Sequence, residues 1–265
     1  MTISIVSERD RIARELAEIA SRAGALIMEV YAEGGDARAK ADGSPVTIAD
    51  ERAEALIVGE LQKRFPAIPI IAEEAAARGE MAAIGDGNFF LVDPLDGTKE
   101  FLNRNGEFTV NIALIEKRMP VAGVVYAPAL EKIYFGGTSA KVADLAPGKP
   151  LAGTQGQTIY ARHETTVLTA VVSRSHADPA TEEFLSKLSI VDRRNVGSSL
   201  KFCLVATGEA DVYPRLAPTM EWDTAAGHAV LLAAGGRVVC LDDEPLVYAK
   251  VCKGFRNPSL IAWGG

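Results

Sequence analysis

The chain has few of the residues that mark disulfide-rich, nucleic-acid-binding or membrane-spanning proteins. Its 265 residues include only three cysteines, Cys203, Cys240 and Cys252, which lie far apart and show no metal-ligand spacing. We therefore expect reduced core thiols of a cytosolic protein. The net charge of -7 argues against non-specific nucleic-acid binding. No apolar run is long enough to span a membrane, and the start shows no signal-peptide pattern, so we expect a cytoplasmic protein.

An apolar run that ends abruptly in two acids is the most informative stretch of the chain. Residues 89–92 predict a buried strand, which we expect Pro94 to end. Asp93 and Asp96 then lie close together on one sharp turn. Gly97 permits a tight backbone there, and Thr98 can open a helix.

A functional and a purely structural interpretation of this turn both remain open. Neighbouring carboxylates repel each other, so a hard cation such as Mg²⁺ would relieve them, and the Leu95 carbonyl would add a third oxygen. The amides of Gly97 and Thr98 would suit a phosphate, and the Thr98 hydroxyl could orient a water. The alternative is a plain turn, because Asp-Pro-x-Asp-Gly is a common turn composition.

Three further acids stand at the ends of predicted elements. Asp50 lies in the first turn of a helix predicted over 47–65, where an acid complements the helix dipole. Glu73 follows a short predicted strand, and it could equally open the Ala-rich helix that comes next. Asp223 stands where an N-cap belongs, and a carboxylate there can also bind a metal. For each of them a structural role and a functional role are both compatible with the sequence.

The order of predicted elements indicates two halves. Helices and antiparallel strands dominate the first part of the chain, and a stretch rich in Gly, Pro, Ala and Gln follows over 144–157. Beyond it, strands and helices alternate, which is typical of an α/β arrangement. We predict an N-terminal α+β half over residues 1–150 and a C-terminal α/β half over 151–265.

Three separated motifs, in this order, resemble the inositol monophosphatase superfamily of Mg²⁺-dependent, lithium-sensitive phosphatases. They are Glu73-Glu74, Asp93-Pro94-Leu95-Asp96-Gly97-Thr98 and Trp222-Asp223-Thr224-Ala225-Ala226-Gly227. Residues 97–101 and 105–111, together with 213–223, are similar to the 3′(2′),5′-bisphosphate nucleotidase (CysQ-type) branch. The resemblance implies a layered αβαβα sandwich of the sugar-phosphatase type, mixed α+β and α/β.

The resemblance also implies roles for individual residues. Two or three Mg²⁺ ions would be held by Glu73, Asp93, the Leu95 carbonyl, Asp96 and Asp223. Asp50 and Thr98 would form the catalytic pair that activates the attacking water. Substrate contacts would come from Gly97, Thr98, Ser173, His176, Ser198, Lys201 and Asp223. His176 could instead be a surface loop histidine, and Lys201 and Arg215 could be solvated charges or ion-pair partners.

The resemblance implies hydrolysis of adenosine 3′,5′-bisphosphate, and of its sulfated relative PAPS, to AMP or APS and phosphate, with a place in sulfur metabolism. One alternative is an inositol-1-phosphate or sugar phosphatase with the same metal site. Another is a non-catalytic regulator that binds a nucleotide, although such a protein would not need the full set of acids. The partner is then a small phosphate ester; relatives also include homodimers and proteins peripheral to the inner membrane.

Overall fold

The computed structural model describes residues 7–34, 37–39, 45–85, 87–152, 154, 156–163, 166–174 and 179–265. Within these residues the α-helices are α1 (Glu8–Glu33), α2 (Ile48–Arg64), α3 (Glu73–Ala77), α4 (Thr98–Leu102), α5 (Pro179–Leu185), α6 (Leu200–Ala206) and α7 (Glu221–Ala233). The strands are β1 (Ala37–Ala39), β2 (Pro45–Thr47), β3 (Ile70–Ala72), β4 (Phe89–Asp96), β5 (Thr109–Glu116), β6 (Met119–Ala127), β7 (Lys132–Gly136), β8 (Ala140–Asp144), β9 (Gln157–Ile159), β10 (Leu168–Ser173), β11 (Ile190–Val196), β12 (Val212–Arg215), β13 (Arg237–Cys240) and β14 (Leu260–Trp263). Two short 3₁₀ helices cover Pro128–Leu130 and Val251–Lys253.

Helices α1 and α2 begin and end where capping residues predict. Ser7 caps α1, since its hydroxyl accepts a hydrogen bond of 3.1 Å from the Asp10 amide. Gly34 ends α1 in the left-handed region at φ 78°. Thr47 caps α2 in the same manner, with 3.1 Å between its hydroxyl and the Ala49 amide. Both helices bury their apolar side against the first sheet.

A seven-stranded sheet in the order β3-β4-β5-β6-β7-β8-β9 forms the first sheet layer. Only β3 and β4 run parallel; the other neighbouring pairs in this sheet are antiparallel. Phe90 and Val92 of β4 join the core beneath α1 and α2, while Phe89 and Leu91 join the core on the opposite face. Both faces are covered, which explains why this strand is continuously apolar instead of alternating.

The prediction that Pro94 ends the strand is wrong, because β4 continues to Asp96. The pairing with β5 shifts register between Asp93 and Asp96, and Pro94 lies within that irregularity. Proline has no amide hydrogen to donate, so an interruption in the ladder is where a sheet tolerates it. The shift allows both acids to stay on the strand while the backbone turns toward α4.

The second sheet has five strands in the order β11-β10-β12-β14-β13. Helices α6 and α7 lie between the two sheets, and α5 packs on the outer face of the second sheet. The layers therefore follow the order αβαβα, and the predicted fold class is confirmed. Strand β14 was not predicted, and it pairs antiparallel with both β12 and β13.

The first sheet extends across the composition break at 144–157, since its edge strand β9 lies at the far end of that stretch and pairs with β8. The division at residue 150 stays a prediction. The expectation of three core thiols is wrong in part, because Cys203 is buried while Cys252 is exposed and Cys240 lies between these extremes. No helix among the described residues is long and apolar enough to cross a membrane.

Candidate active site

The acids predicted from separate motifs meet at one edge of the first sheet. Parallel β3 and β4 are in register, with Ala72 opposite Val92, so the residues that follow, Glu73 and Asp93, lie side by side. Asp96 comes at the end of β4, and α7 brings Asp223 to the same place. Strand ends of parallel pairs are where α/β proteins collect functional groups.

Electrostatic repulsion within this cluster is large. Burial first, and then the charges of Glu73, Asp96 and Asp223, raise the pKa of Asp93 well above its usual value. Burial and the neighbouring acids Asp96 and Glu73 raise the pKa of Asp223 in the same way. Burial also raises the pKa of Asp96, although Lys201 and Ser199 oppose that rise. Acids that repel one another in a buried place are stabilised when a cation lies among them.

The donor chemistry of this cluster fits a hard divalent ion. Its carboxylate oxygens and the nearby Leu95 carbonyl are the ligands that Mg²⁺ and similar ions prefer. In the part of the chain that the structure describes, no three His, Cys, Asp or Glu side chains already stand together as a complete ligand group. The fit therefore rests on oxygen donors, burial and mutual repulsion. Asp93 is also held in place, since its Oδ1 accepts a hydrogen bond of 3.0 Å from the Leu95 amide.

Asp50 holds the start of α2 and also contacts Thr98, its predicted catalytic partner. Its Oδ2 accepts hydrogen bonds of 2.7 Å from both the amide and the hydroxyl of Thr47, which closes a capping box at the start of α2. Its Oδ1 lies 3.4 Å from the Thr98 hydroxyl, which is also 3.5 Å from the Leu95 carbonyl. Burial, opposed by the Thr47 bonds, raises the pKa of Asp50 to about 6. One oxygen thus holds the helix, and the other faces the predicted site.

Asp223 is not the N-cap of α7, contrary to the prediction. The helix begins at Glu221, and Met220 is its N-cap residue. Asp223 occupies the third helical position, where its Oδ2 accepts a hydrogen bond of 2.8 Å from the Met220 amide. The correction arises because an acid can cap a helix from inside as well as from the cap position.

A cleft with a cavity volume of about 210 Å³ opens beside these acids. Its lining includes the predicted site residues Glu73, Asp96, Gly97, Thr98, Ser173, Ser198, Lys201 and Asp223, and also Arg215. His176 lies outside the described residues. Acids, the cations Lys201 and Arg215, and hydroxyl groups thus line the same cleft.

Lys201 is not a solvated surface charge, because only 6% of the residue is exposed. Burial lowers its pKa to about 8, and the nearby Asp96 carboxylate opposes that change. Its ammonium group lies 3.4 Å from the Val196 carbonyl and over the ring of Tyr213. A buried cation at this place can meet an anionic group of a ligand, since it is already desolvated.

Tight backbone packing joins the two sides of the cleft at Gly97 and Ser198. Gly97 adopts φ 91°, as the prediction of a tight turn requires, and a Cβ there would collide with the Ser198 hydroxyl. Ser198 itself has φ 51°, and its hydroxyl lies 2.8 Å from both the Asp96 and Glu107 carbonyl oxygens. The second half of the chain is thereby fastened directly to the acidic turn.

The sequence analysis missed several residues that position the acids. Asn111 donates to the Ser199 hydroxyl at 3.0 Å, and that hydroxyl donates to the Asp223 carbonyl at 2.8 Å. Thr47 holds Asp50, and the spacing Thr-x-x-Asp was a readable capping signal for it. No comparable local signal existed for Asn111 and Ser199, because they are 88 residues apart.

The chain is similar to known proteins of one family. Residues 8–258 match the model of the inositol monophosphatase family. A 3′(2′),5′-bisphosphate nucleotidase CysQ of Escherichia coli O157:H7 is 45% identical over 246 residues, covering 92% of this chain and 96% of the relative. The crystal structure of CysQ from Bacteroides thetaiotaomicron is 38% identical, with a TM-score of 0.79 and 99% of each chain covered.

A more distant structure shows that the fold extends beyond these relatives. An IMPase of Thermotoga maritima has a TM-score of 0.75 at 23% identity, covering 96% of this chain and 92% of its own, and it supports the fold alone. The predicted resemblance, including its CysQ-type branch, is confirmed by the nearer relatives. Since the family match runs from the first turn of α1 almost to β14, the chain belongs to the inositol monophosphatase family.

Proposed function

We propose that this chain is a Mg²⁺-dependent 3′(2′),5′-bisphosphate nucleotidase that hydrolyses adenosine 3′,5′-bisphosphate to AMP and phosphate, with PAPS as a second substrate. The observation that carries the proposal is a single cleft whose lining includes both the acids Glu73, Asp96 and Asp223 and the buried cation Lys201. A substrate with two phosphates can place one phosphate at the acids through a metal and the other at cationic and hydroxyl groups. The 45% identity to a relative named as such a nucleotidase supports this substrate class.

Glu73, Asp93, Asp96, Asp223 and the Leu95 carbonyl would hold the Mg²⁺. When bound, Mg²⁺ supplies Lewis acidity that neutralises phosphate charge, lowers the pKa of water and stabilises the leaving oxygen. No cysteine nucleophile is required, and the buried thiol of Cys203 has a pKa raised well above its usual value by burial, which disfavours the thiolate.

Asp50 and Thr98 would handle the proton of the attacking water. The Thr98 hydroxyl accepts a hydrogen bond from the water and passes its own proton toward Asp50 Oδ1, 3.4 Å away. Asp50 suits a base near neutral pH, because burial raises its pKa to about 6. The water oxygen forms the new bond to phosphorus while the bond from phosphorus to the 3′ oxygen breaks. The leaving oxygen takes up a proton from solvent to become the 3′ hydroxyl of AMP, and Asp50 later releases the proton of the attacking water to solvent.

Parallel assays of phosphate release test this proposal. Adenosine 3′,5′-bisphosphate, PAPS and inositol-1-phosphate are compared with Mg²⁺, with EDTA and with lithium. We expect a kcat/KM preference for adenosine 3′,5′-bisphosphate over inositol-1-phosphate of about a hundredfold or more, worth roughly 2.7 kcal/mol of transition-state binding. EDTA is expected to abolish turnover. A preference for inositol-1-phosphate would favour the alternative phosphatase, and the absence of turnover on all three substrates would contradict the proposal.

A further inference from the structure

Helix α3, which begins with the predicted metal ligand Glu73, cannot hold its own start. It is five residues long, and its N-cap residue Ala72 has no side chain able to accept a hydrogen bond. A helix this short is unstable alone, and its first amides have no partner within the helix. The direction of the Glu73 side chain therefore depends on whatever satisfies those amides from outside.

A buried carboxylate from a different helix satisfies them. Glu54 of α2 accepts hydrogen bonds of 2.7 Å from the Glu74 amide and 2.9 Å from the Ala75 amide, one at each of its oxygens. Only 5% of Glu54 is exposed. The Arg78 guanidinium, 3.5 Å away, partly balances its charge from the other end of α3. Hydrogen bonds to an ionised, desolvated acceptor are among the stronger ones in proteins.

Glu54 itself is not a part of the cleft. The cleft lining includes Glu73 but not Glu54, and both Glu54 oxygens accept backbone amides of α3. Glu54 follows Asp50 by four residues on α2, and residues at this spacing share one face of a helix. One face of α2 thus carries the acid that contacts Thr98 and the acid that holds the helix of Glu73.

We propose that Glu54 is a positioning residue for metal binding, which caps α3 from α2 and so fixes the Glu73 carboxylate at the cleft. The inference rests on the proposed function, since it takes Glu73 to be a metal ligand. Groups that orient metal ligands without touching the metal change metal affinity by about 10- to 100-fold when they are removed. A purely structural cap would change stability and leave metal affinity unaltered.

The substitution Glu54→Gln tests the proposal at nearly constant volume. It replaces one acceptor oxygen by an amide group that faces a backbone donor, so the double cap is broken. The matched control is Glu51→Gln, which removes the same charge from an exposed position of α2. Mg²⁺ binding to the metal-free protein is measured by calorimetry, together with the Mg²⁺ dependence of phosphate release and the melting temperature.

For Glu54→Gln we expect the Kd for Mg²⁺ to rise about 10- to 100-fold, with kcat recovering at saturating Mg²⁺ and KM for the nucleotide unchanged. Glu51→Gln is expected to behave as the parent. Adding Ala72→Ser to Glu54→Gln supplies a cap within α3 and is expected to restore part of the Mg²⁺ affinity. A lower melting temperature for Glu54→Gln with parental Mg²⁺ affinity would overturn the proposal.

If Glu54→Gln fails to fold, Glu54→Asp takes its place, because the shorter acid keeps the charge and cannot span both amides. It is expected to weaken Mg²⁺ binding by a smaller factor, and an unchanged Kd would overturn the proposal. Failure of the proposed function is distinguishable: the parent would then bind no Mg²⁺, or would bind it and hydrolyse no bisphosphate. In the second case calorimetry still tests Glu54.

Discussion

Helices α3 and α7 both begin at the cleft with an acid in the first turn, yet their starts are held in opposite ways. At α3, Glu54 reaches in from another helix and accepts two backbone amides of the short helix. At α7, the helix reaches out, since its buried Glu221 accepts the amides of Ala249 at 3.0 Å and Lys250 at 2.9 Å. In both cases one carboxylate accepts two successive amides. At α3 the helix is held by a residue outside it, whereas at α7 the helix holds a segment outside it.

Length explains the difference. Helix α7 has 13 residues, and most of them are buried between the two sheets, so packing fixes it along its length in addition to the cap from Asp223. Its two acids have different partners. Asp223 accepts the Met220 amide and so caps the helix from its third position, and Glu221 binds the segment around residue 250 to the helix. Helix α3 packs much less: of its five residues only Glu74 is fully buried, while Ala75 and Ala76 pack partly buried against the cores. We infer that the position of the Glu73 carboxylate depends on one remote residue, Glu54, whereas that of the Asp223 carboxylate depends on the packing of α7 in the core.

Asp93 repels an acid of each helix, Glu73 of α3 and Asp223 of α7, and its substitution has the largest expected effect. Asp93→Asn keeps the hydrogen bond from the Leu95 amide and removes the charge that Glu73 and Asp223 both repel. We expect kcat/KM to fall about 10³-fold or more, roughly 4 kcal/mol, while the metal-free variant melts at the same or a higher temperature than the parent. Activity assays and thermal unfolding check both results.

The control for Asp93→Asn is Asp192→Asn, the same chemical change on the exposed strand β11. It is expected to leave activity and stability unchanged. Substantial turnover by folded Asp93→Asn would contradict the assignment of Asp93 as a metal ligand. It would also remove the evidence that the acids of α3 and α7 act together in one metal site.

Local patterns predicted the parts of the fold in which the cause is local. Periodicity and capping residues located α1 and α2, and the abrupt end of an apolar run located the acidic turn. The family resemblance then joined acids that are far apart in sequence. For Asp50 the structure confirms the structural interpretation, since one oxygen caps α2, and the other oxygen lies 3.4 Å from the Thr98 hydroxyl, so the predicted catalytic role stays open.

Features that depend on distant partners could not be predicted in this way. Strand β14 is a short apolar run that becomes a strand by pairing with β12 and β13. Lys201 looks like any lysine of an amphipathic helix, and its burial depends on the sheet and acids that surround it. The role of Glu54 depends on a helix that starts after Ala72, a residue without a capping side chain. It also depends on a contact between Glu54 and the Glu74 amide, 20 residues further along the chain.

Glu221→Gln tests the α7 side of the comparison and has the next largest effect. The substitution leaves Lys250 Nζ, now 2.8 Å from Glu221 Oε1 and only 10% exposed at its side chain, without its counter-charge. Breaking such a buried pair costs roughly 3–5 kcal/mol of unfolding free energy. Because packing holds α7, we expect the Kd for Mg²⁺ to stay within about threefold of the parent, unlike that of Glu54→Gln.

Chemical denaturation and Mg²⁺ calorimetry on the same samples check this contrast. Glu244→Gln, an exposed acid near the same segment, is the control and is expected to change neither quantity. A large loss of Mg²⁺ affinity in Glu221→Gln with little loss of stability would contradict the contrast between the two helices. The position of Asp223 would then depend on Glu221 as much as that of Glu73 depends on Glu54.

The smallest effect concerns acid pH and a histidine on α7. Burial, and then the charge of Lys250, lower the pKa of His228 to about 3, and its Nδ1 lies 3.0 Å from the Tyr248 hydroxyl. The unfolded chain, with a histidine pKa near 6.5, therefore takes up the proton first, and stability falls as the pH drops from about 6.5 toward 3. At pH 5 this loss is roughly 2 kcal/mol.

His228→Asn is expected to lose that much less stability than the parent between pH 7 and pH 5, since carboxylates contribute equally to both proteins. His163→Gln, an exposed histidine, should retain the parental difference. Equal losses in the parent and His228→Asn would show that acid does not act on α7 through this contact.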